Sequence, residues 1–324
     1  MGYLQGYVAE ETAGEYKAGR ISYKELLRRF TLLTGSVVAA VALAVSLGCT
    51  ASTPPTATTA PPTATAAPLP TSTSLTQTAT PTRAPGVTVP PDDPSIEAGK
   101  VTFENAGVTL MGYLARPKAG GPYPAVLVIH ENRGLLPHFE DVARRLAKEG
   151  YVALALDLLS REGGTATFTD QAQATATLGR AGQDRLVTDM NGAVRYLEGL
   201  PFVRADRVGC VGFCFGGGMA WLLSVRNQDI KAAVPFYGPR PPLDEVPNLR
   251  APVLGLYGGN DTFINPMVPD LEAALKQNNK TYKFITYPGA GHAFFNNTGQ
   301  NYNAGAADAG WREALAWFAQ YLKS

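Results

Sequence analysis

The stretch "RVGCVGFCFGGGMAWLLSV", residues 207–225, changes character in its middle. Its first part is an apolar run that predicts a buried strand, and its last part predicts a helix. Between them, Gly212, Cys214 and Gly216 follow the pattern Gly-x-nucleophile-x-Gly of a sharp strand-to-helix turn. Such a turn strains its central residue and projects that side chain above the sheet, beside a helix N-terminus that favours a thiolate. The stretch predicts a reactive Cys214, although a buried cysteine in a tight glycine-rich turn fits the same letters.

Strand and helix patterns alternate on both sides of this turn, over residues 98–324. Apolar runs or alternation predict further strands at 109–117, 123–131, 151–159, 230–238, 251–261 and 282–292. Helical spacing occurs at 139–150, 183–200, 269–279 and 309–322. This succession predicts an α/β fold with a mostly parallel sheet and helices on both faces. In such folds the chemistry collects beyond the carboxyl ends of the strands.

Two residues downstream of the turn complete a catalytic pattern. Asp261 ends the strand "PVLGLYGGND", and His292 lies in "PGAGHAF", just after the next strand. The chain order nucleophile, acid, histidine is that of the α/β-hydrolase triad. In such a triad His292 takes the thiol proton, and Asp261 orients the imidazole and stabilises its charge. Taken singly, Asp261 fits a turn residue and His292 a loop histidine, but their coincidence with Cys214 favours catalysis.

The remaining cysteines and histidines predict no metal site and no cofactor. Three cysteines are too few for a disulfide framework, and their spacing fits no zinc site. Cys210 lies about 13 Å along the strand from Cys214, beyond the roughly 7 Å that a disulfide tolerates, so it is predicted to lie in the core. His130 has no second ligand at helical spacing and is assigned a structural role. His138 precedes a helix and is predicted to lie on the surface.

The N-terminal part of the chain has a different composition. Residues 30–48, "FTLLTGSVVAAVALAVSLG", are apolar and uncharged, and the run is about long enough to span a bilayer. Basic residues directly precede it, so residues 1–29 are predicted to be a cytoplasmic tail or the first region of a signal. The run is either an uncleaved anchor or a signal cleaved before Cys49, which then carries lipid. Both alternatives anchor the folded domain to the cell membrane on its extracytoplasmic side, whereas a buried core helix is the third alternative.

Residues 49–97 are predicted to be a disordered linker, because residues 50–86 are almost entirely Thr, Pro, Ala and Ser. Such a segment cannot bury enough apolar surface to offset the entropy of ordering it. Hydrophobic residues make up 45% of the full sequence, which suffices for a core. The net charge is +1, so no basic excess indicates a nucleic-acid partner.

The domain at 98–324 resembles the dienelactone hydrolase family of α/β-hydrolases. The motifs that carry the resemblance are "HENRGL" (130–135), "GFCFGG" (212–217), "FYG" (236–238), "YGGNDTFI" (257–264) and "GHAFFN" (291–296). The resemblance implies that Cys214, Asp261 and His292 form the triad and that Glu131 handles the thiol proton. It also implies a cysteine that rests as a poor nucleophile until a bound substrate swings it toward the histidine.

The same resemblance implies the surroundings of the reacting carbonyl. The backbone N–H groups of Asn132 and Phe215 would form the oxyanion hole, and Tyr237 would line the pocket. Well-known members grip a substrate carboxylate with arginines, one of them four residues after the histidine. Here that position is Asn296, which is also predicted to bind substrate. Arg133 and Arg161 lie in loops that could reach the site and are candidates for that role, but roles in a helix or toward solvent fit them equally well. A related lactone or small ester is therefore a better expectation than dienelactone itself.

The leading hypothesis is therefore a membrane-tethered extracytoplasmic hydrolase of small esters or lactones that works through an acyl-cysteine intermediate. The expected partners are the small-molecule substrate and the membrane. Two alternatives stay open at this point: a non-catalytic surface binding module on a hydrolase fold, and an acyl-transferase or peptidase on the same fold.

Overall fold

The computed structural model of the chain describes residues 2–51 and 87–324, so most of the predicted linker lies outside the described residues. One sheet contains β1 (Ile96–Asn105), β2 (Val108–Pro117), β3 (Tyr123–Ile129), β4 (Val152–Asp157), β5 (Val203–Phe213), β6 (Ile230–Phe236), β7 (Val253–Gly258) and β8 (Tyr282–Tyr287). The strand order is β1-β2-β4-β3-β5-β6-β7-β8. Strand β2 is antiparallel to β1 and β4, and the other neighbours are parallel. The predicted α/β architecture is confirmed.

Helices connect and cover these strands. They are α1 (Tyr3–Lys17), α2 (Tyr23–Thr34), α3 (Val37–Ser46), α4 (Pro137–Lys148), α5 (Gln171–Arg180), α6 (Gln183–Glu198), α7 (Phe215–Arg226), α8 (Val268–Gln277) and α9 (Ala304–Leu322). The crossovers run outward from β3 in both directions, to β4 and to β5. Because parallel crossovers are right-handed, the connecting helices lie on both faces of the sheet.

The core lies in the central parallel strands. Every residue of β4 and β7 is buried, as expected for strands covered on both faces. Cys210 is fully buried in β5, and its sulfur lies 3.9 Å from the Ser224 hydroxyl of α7, so the predicted core role is confirmed. His130 is also fully buried: its Nε2 accepts a hydrogen bond from the Leu158 N–H at 3.1 Å, which fits its assigned structural role.

The prediction that His138 lies on the surface is wrong. The residue is 3% exposed in the first turn of α4. Its ring packs edge-on against Phe139 and Phe295, and its Nδ1 lies 2.9 Å from Oδ1 of Asn297. Burial lowers the pKa of His138, so a neutral ring fills this aromatic cluster. The residue lies before the helical run at 139–150, but α4 begins at Pro137 and turns the histidine inward.

The apolar run at 30–48 is divided between two helices, and the expected continuous span is not supported. No single helix in the described ranges is long and apolar enough to cross a membrane; α2 and α3 satisfy that test only as a pair, bent by 116°. Gly35 ends α2 with a left-handed φ of 75°, and the Ser36 hydroxyl caps α3 by accepting the Ala39 N–H at 3.4 Å. A glycine C-terminus followed by a serine N-cap is a strong helix break.

Residues 1–29 are predicted to be a tail apart from the domain, but the structure packs α1 and α2 against it. Leu26, Phe30 and Leu33 of α2 are at most 2% exposed. Arg28 pairs with Asp170, the N-cap of α5, at 2.5 Å. The physical reason is the amphipathic pattern of α2, whose apolar side is buried while its charged side pairs with neighbours.

Candidate active site

Cys214 occupies the turn between β5 and α7 in a strained conformation. Its φ of 56° and ψ of −119° lie in a region that non-glycine residues rarely adopt. The flanking glycines make room for the turn: a Cβ on Gly212 would lie 1.9 Å from the Gly216 carbonyl oxygen, and one on Gly216 would lie 2.3 Å from the Ile129 oxygen. The Cys214 N–H donates to the Phe236 oxygen at 3.1 Å, which fixes the turn against β6. The predicted sharp strand-to-helix turn, with a strained residue at its centre, is present.

Asp261 and His292 form a hydrogen-bonded pair beyond the ends of β7 and β8. His292 Nδ1 lies 2.7 Å from Asp261 Oδ2, and Asp261 Oδ1 accepts the N–H groups of Phe263 and Ile264 at 3.1 and 3.0 Å. Burial acts to raise the pKa of Asp261, but these hydrogen bonds and the His292 charge outweigh it, so the pKa is lowered. The carboxylate is thus held ionised against the ring, as a residue that orients an imidazole requires.

The Cys214 sulfur lies beside the Asp261–His292 pair and completes the three-residue cluster. The Cys214 sulfur lies within 4.8 Å of a ring nitrogen of His292, and the buried His292 Nε2 has no hydrogen-bond partner of regular geometry among the described residues. Burial acts to lower the pKa of His292, but the Cys214 sulfur, once ionised, and the Asp261 carboxylate raise that pKa well above its ordinary value. These neighbours stabilise the imidazolium that forms once the ring accepts a proton.

The sulfur itself rests as a neutral thiol. Burial raises the pKa of Cys214 to about 11, the Glu11 carboxyl adds to the rise, and His292 opposes it. Cys214 is 3% exposed. Since only the thiolate is a good nucleophile, the described state is a resting one.

Glu131 lies in the same pocket and is held by two residues predicted to bind substrate. Its Oε1 accepts the Tyr237 hydroxyl at 3.2 Å, and its Oε2 accepts the Asn296 side-chain amide at 2.9 Å. Tyr237 also has a left-handed φ of 38°, and its ring lies 5.2 Å from the His292 ring. The structure therefore brings Glu131, Tyr237 and Asn296 together beside the histidine.

Of the other predicted residues, some lie beside the Cys214 cluster and others have partners away from it. Phe215 begins α7, where the helix provides no acceptor for the first N–H groups. The Asn132 side chain lies at the site and donates to Glu11 Oε2 at 2.6 Å. Arg133 is half exposed, and its guanidinium lies 3.8 Å from Glu15. Arg161 is bound to Asp189 by two nitrogens, at 2.9 and 2.7 Å, and is thereby engaged elsewhere.

Two residues of α1 also lie at this site, and they were not among the predicted site residues. The Tyr7 hydroxyl lies 3.1 Å from the Cys214 sulfur, 207 positions away in the chain, and Glu11 Oε1 lies 3.6 Å from it. The available signal is the helical pattern of α1, which places Tyr7 and Glu11 four residues apart on one face. The Glu11 carboxyl, the Cys214 sulfur and a His292 nitrogen lie within 4.8 Å of one another and are donor types that could hold a divalent cation.

An eight-stranded, mostly parallel sheet with a strained residue at a strand-to-helix turn, and an Asp–His pair beyond the following strands, defines an α/β-hydrolase. Comparison with known proteins narrows the class. The sequence profile of the dienelactone hydrolase family matches residues 110–322. The chain belongs to the dienelactone hydrolase family, and it is a hydrolase that acts on lactone or ester bonds.

Individual relatives support this assignment. A candidate carboxymethylenebutenolidase from Methylorubrum extorquens is 37% identical over 246 residues, which cover 72% of this chain and 84% of the relative. A candidate carboxymethylenebutenolidase from Escherichia coli is 36% identical over 244 residues, with 71% and 89% coverage. The solved structure of a candidate dienelactone hydrolase from Klebsiella pneumoniae is 35% identical, with a TM-score of 0.65 over 70% of this chain and 99% of that one.

Proposed function

We propose that the chain hydrolyses small esters or lactones through an acyl-cysteine intermediate on Cys214. His292 Nε2 takes the thiol proton, and the thiolate attacks the substrate carbonyl. The carbon–oxygen ester bond breaks, the leaving alkoxide takes the proton from His292, and a thioester remains. Water then attacks the thioester with His292 as base, the carbon–sulfur bond breaks, the proton on His292 returns to the Cys214 sulfur, and the carboxylic acid product leaves.

One observation carries this proposal: the Asp261–His292 pair presents a buried, unpartnered Nε2 within reach of the strained Cys214. The geometry matches the general pattern of a nucleophile, a base and a group that orients the base. The developing oxyanion would be bound by the backbone N–H groups of Phe215 and Asn132, the first of them at a helix N-terminus.

Glu131 is proposed to handle the thiol proton first when the substrate arrives, and to pass it on to His292. Its two oxygens are occupied by Tyr237 and Asn296 in the resting state. A substrate that displaces either donor would free one carboxylate oxygen to accept a hydrogen bond. Tyr237 and Asn296 are thus proposed to bind substrate and to control Glu131 at the same time.

The proposed substrate is a lactone or a small ester. A candidate 2-oxo-3-(5-oxofuran-2-ylidene)propanoate lactonase from Bradyrhizobium is 35% identical over 228 residues. Arg133 is the candidate partner for a substrate carboxylate, because its side chain is half exposed and its guanidinium lies as far as 3.8 Å from the Glu15 carboxylate. Asn296 cannot supply a charge at its position. A comparison of carboxylated lactones with plain esters, in the parent chain and in Arg133→Ala, tests this assignment: a selective loss on the carboxylated lactones is expected.

The direct test of the nucleophile is turnover of p-nitrophenyl acetate by Cys214→Ala. The expected loss in kcat/KM is about 10³-fold, since the covalent route is removed. Cys49→Ala, assayed without membranes, is the matched control, because Cys49 lies outside the catalytic cluster, and its turnover should equal that of the parent chain. Equal turnover in Cys214→Ala would overturn the proposed mechanism.

We further propose that the domain is tethered to the membrane on its extracytoplasmic side, through residues 30–48 or through lipid on Cys49. The apolar run at 30–48 supports the tether, because it lies in α2 and α3, which as a bent pair meet the length and composition test for a span. Mass spectrometry of the mature N-terminus distinguishes the alternatives. A first residue Cys49 with an added lipid mass indicates the lipoprotein, an uncleaved chain in the membrane fraction indicates the anchor, and an uncleaved chain free of membrane contradicts both.

A further inference from the structure

Helix α1 covers the nucleophile. Tyr7 is 4% exposed, and its ring packs between Phe215 and Phe263, with centroid distances of 6.3 and 5.4 Å. These two aromatic residues follow Cys214 and Asp261 closely in the chain. Since Tyr7 and Glu11 both contact the sulfur, an ester carbonyl cannot reach Cys214 until α1 moves away.

The Glu11 side chain resembles the product of the proposed reaction. Ester hydrolysis leaves a carboxyl group beside the nucleophile and the oxyanion donors. Glu11 places a carboxyl group beside the nucleophile: Oε1 lies 3.6 Å from the Cys214 sulfur, and Oε2 accepts the side-chain amide of Asn132 at 2.6 Å. The backbone N–H of the same Asn132 is one of the two proposed oxyanion donors. Burial raises the pKa of Glu11, which His292 and Asn132 oppose.

Packing outside the site holds α1 in place. Val8 is 3% exposed and packs toward Gly179 of α5. Glu15 of α1 pairs with Arg29 of α2 at 2.5 Å and faces Arg133 at 3.8 Å. These contacts tie α1 to the folded domain without using any residue of the sheet.

We propose that α1 is a built-in competitive ligand of the active site, with the Glu11 carboxyl in the position of the product carboxylate. The proposal rests on the proposed function for the identity of the site and on the uncleaved chain, which retains α1. The docking of α1 can be measured without turnover. Only molecules with α1 released bind substrate, so the apparent affinity falls in proportion to the released fraction. A released fraction of about one in ten lowers kcat/KM about tenfold.

The experiment compares two pairs of variants in the full chain. Val8→Asp places a charge in the α1 contact, and Val38→Asp, at a position that is 80% exposed on α3, is its matched control. Glu11→Ala removes the product-like carboxyl, and Glu10→Ala, at an exposed neighbour, is its control. The rate of iodoacetamide alkylation at Cys214, identified by peptide mass spectrometry, and kcat/KM for p-nitrophenyl acetate are measured for each.

The expected result is a rise of about tenfold in alkylation and in kcat/KM for Val8→Asp and Glu11→Ala, with both controls unchanged. Unchanged alkylation in both test variants, with a normal melting temperature, would overturn the proposal. A loss of both rates in Glu11→Ala would also overturn it, because Glu11 would then belong to the catalytic machinery. Faster alkylation without any turnover would support the docking of α1 and count against the proposed hydrolysis instead. If Val8→Asp does not fold, Glu11→Ala decides the question alone.

Discussion

At the scale of single residues, the state of the Cys214 thiol decides the reactivity of the site. Its pKa is raised to about 11, first by burial and then by the Glu11 carboxyl. A thiol with a raised pKa is protonated below that pKa, and its thiolate fraction grows about tenfold per pH unit as the pH rises toward it. The resting enzyme therefore holds its nucleophile in the unreactive form, in agreement with the behaviour that the family resemblance implies.

This state predicts the pH dependence of alkylation. In the full chain, the rate of iodoacetamide reaction at Cys214 should rise with pH up to about 11. In Glu11→Ala the midpoint should move to lower pH, because the substitution removes an acidic neighbour and admits water. Alkylation rates over a pH series check both expectations, and an identical midpoint in the two proteins would contradict the role given to Glu11.

The orientation of His292 predicts a second effect. In Asp261→Asn the ring loses the carboxylate that stabilises its charged form, although the hydrogen-bond geometry is kept. The expected loss in kcat is about 10²–10⁴-fold, the range of a general base. Asp270→Asn on α8, whose carboxylate lies outside the site, is the control and should retain parent kinetics. Parent kinetics in Asp261→Asn would remove Asp261 from the mechanism.

The close packing of the glycines that flank Cys214 gives a prediction about stability. In Gly216→Ala a Cβ would lie 2.3 Å from the Ile129 oxygen, and neither the helix nor β3 can move easily. We expect a loss of about 2–3 kcal/mol in the free energy of unfolding. In Gly305→Ala the nearest atom is 3.7 Å away, so that variant should be as stable as the parent or more. Urea unfolding measures both, and equal stability would show that the turn adapts.

At the scale of elements, the strands were the most predictable part of the fold. Continuous apolar runs such as 123–131 and 151–159 are typical of strands that are buried on both faces of a sheet. They form β3 and β4, with bounds that agree within two residues at each end. The last helix begins at Ala304 rather than 309, because Asn303 caps it by accepting the Ala306 N–H at 3.0 Å. Helix α5 has a weak alternation of Ala and Thr and was not predicted.

The site was predictable only where it follows local patterns. Cys214, Asp261 and His292 each follow a strand, so their convergence could be predicted from chain order. The hydrogen bonds of Glu131 join loops that are 106 and 165 residues apart, and no local pattern encodes them. The apolar run at 30–48 has the composition of a span, and only the pair Gly35 and Ser36 indicated that it divides.

Helix packing gives a prediction at this scale. Gly179 of α5 lies against α1 and α2, and a Cβ there would be 2.8 Å from Leu33 and 3.2 Å from Val8. Gly179→Leu should therefore push α1 and α2 away without touching the sheet. Hydrogen exchange should show α1 amides losing protection about tenfold or more, while the strands β3 to β7 keep theirs and act as the internal control. Unchanged exchange in α1 would show that its docking does not depend on α5.

At the scale of the whole molecule, the docked helices and the proposed membrane tether exclude each other. A span over 30–48 requires α2 and α3 to align, whereas they meet at 116° in the docked state. Burial of Leu26, Phe30 and Leu33 against the domain would be lost on alignment. Since α2 also packs on α1, insertion into a membrane should release α1 from Cys214.

This competition predicts that membranes activate the full chain. Alkylation of Cys214 should be about tenfold faster with phosphatidylglycerol–phosphatidylcholine vesicles than without them, since insertion shifts the population toward the released state. Val38→Asp places a charge in the apolar run and should not respond to vesicles. An equal rate with and without vesicles in the parent chain would show that membrane insertion does not release α1 from Cys214.

The most direct test of the central claim, that Cys214 carries the acyl group during turnover, is mass spectrometry of the enzyme quenched in acid during reaction with p-nitrophenyl acetate. The full chain and Glu11→Ala should both carry one acetyl group on the peptide that contains Cys214, with higher occupancy in Glu11→Ala. Turnover with the acetyl group on another residue, or with none on Cys214 under conditions that preserve thioesters, would contradict the mechanism.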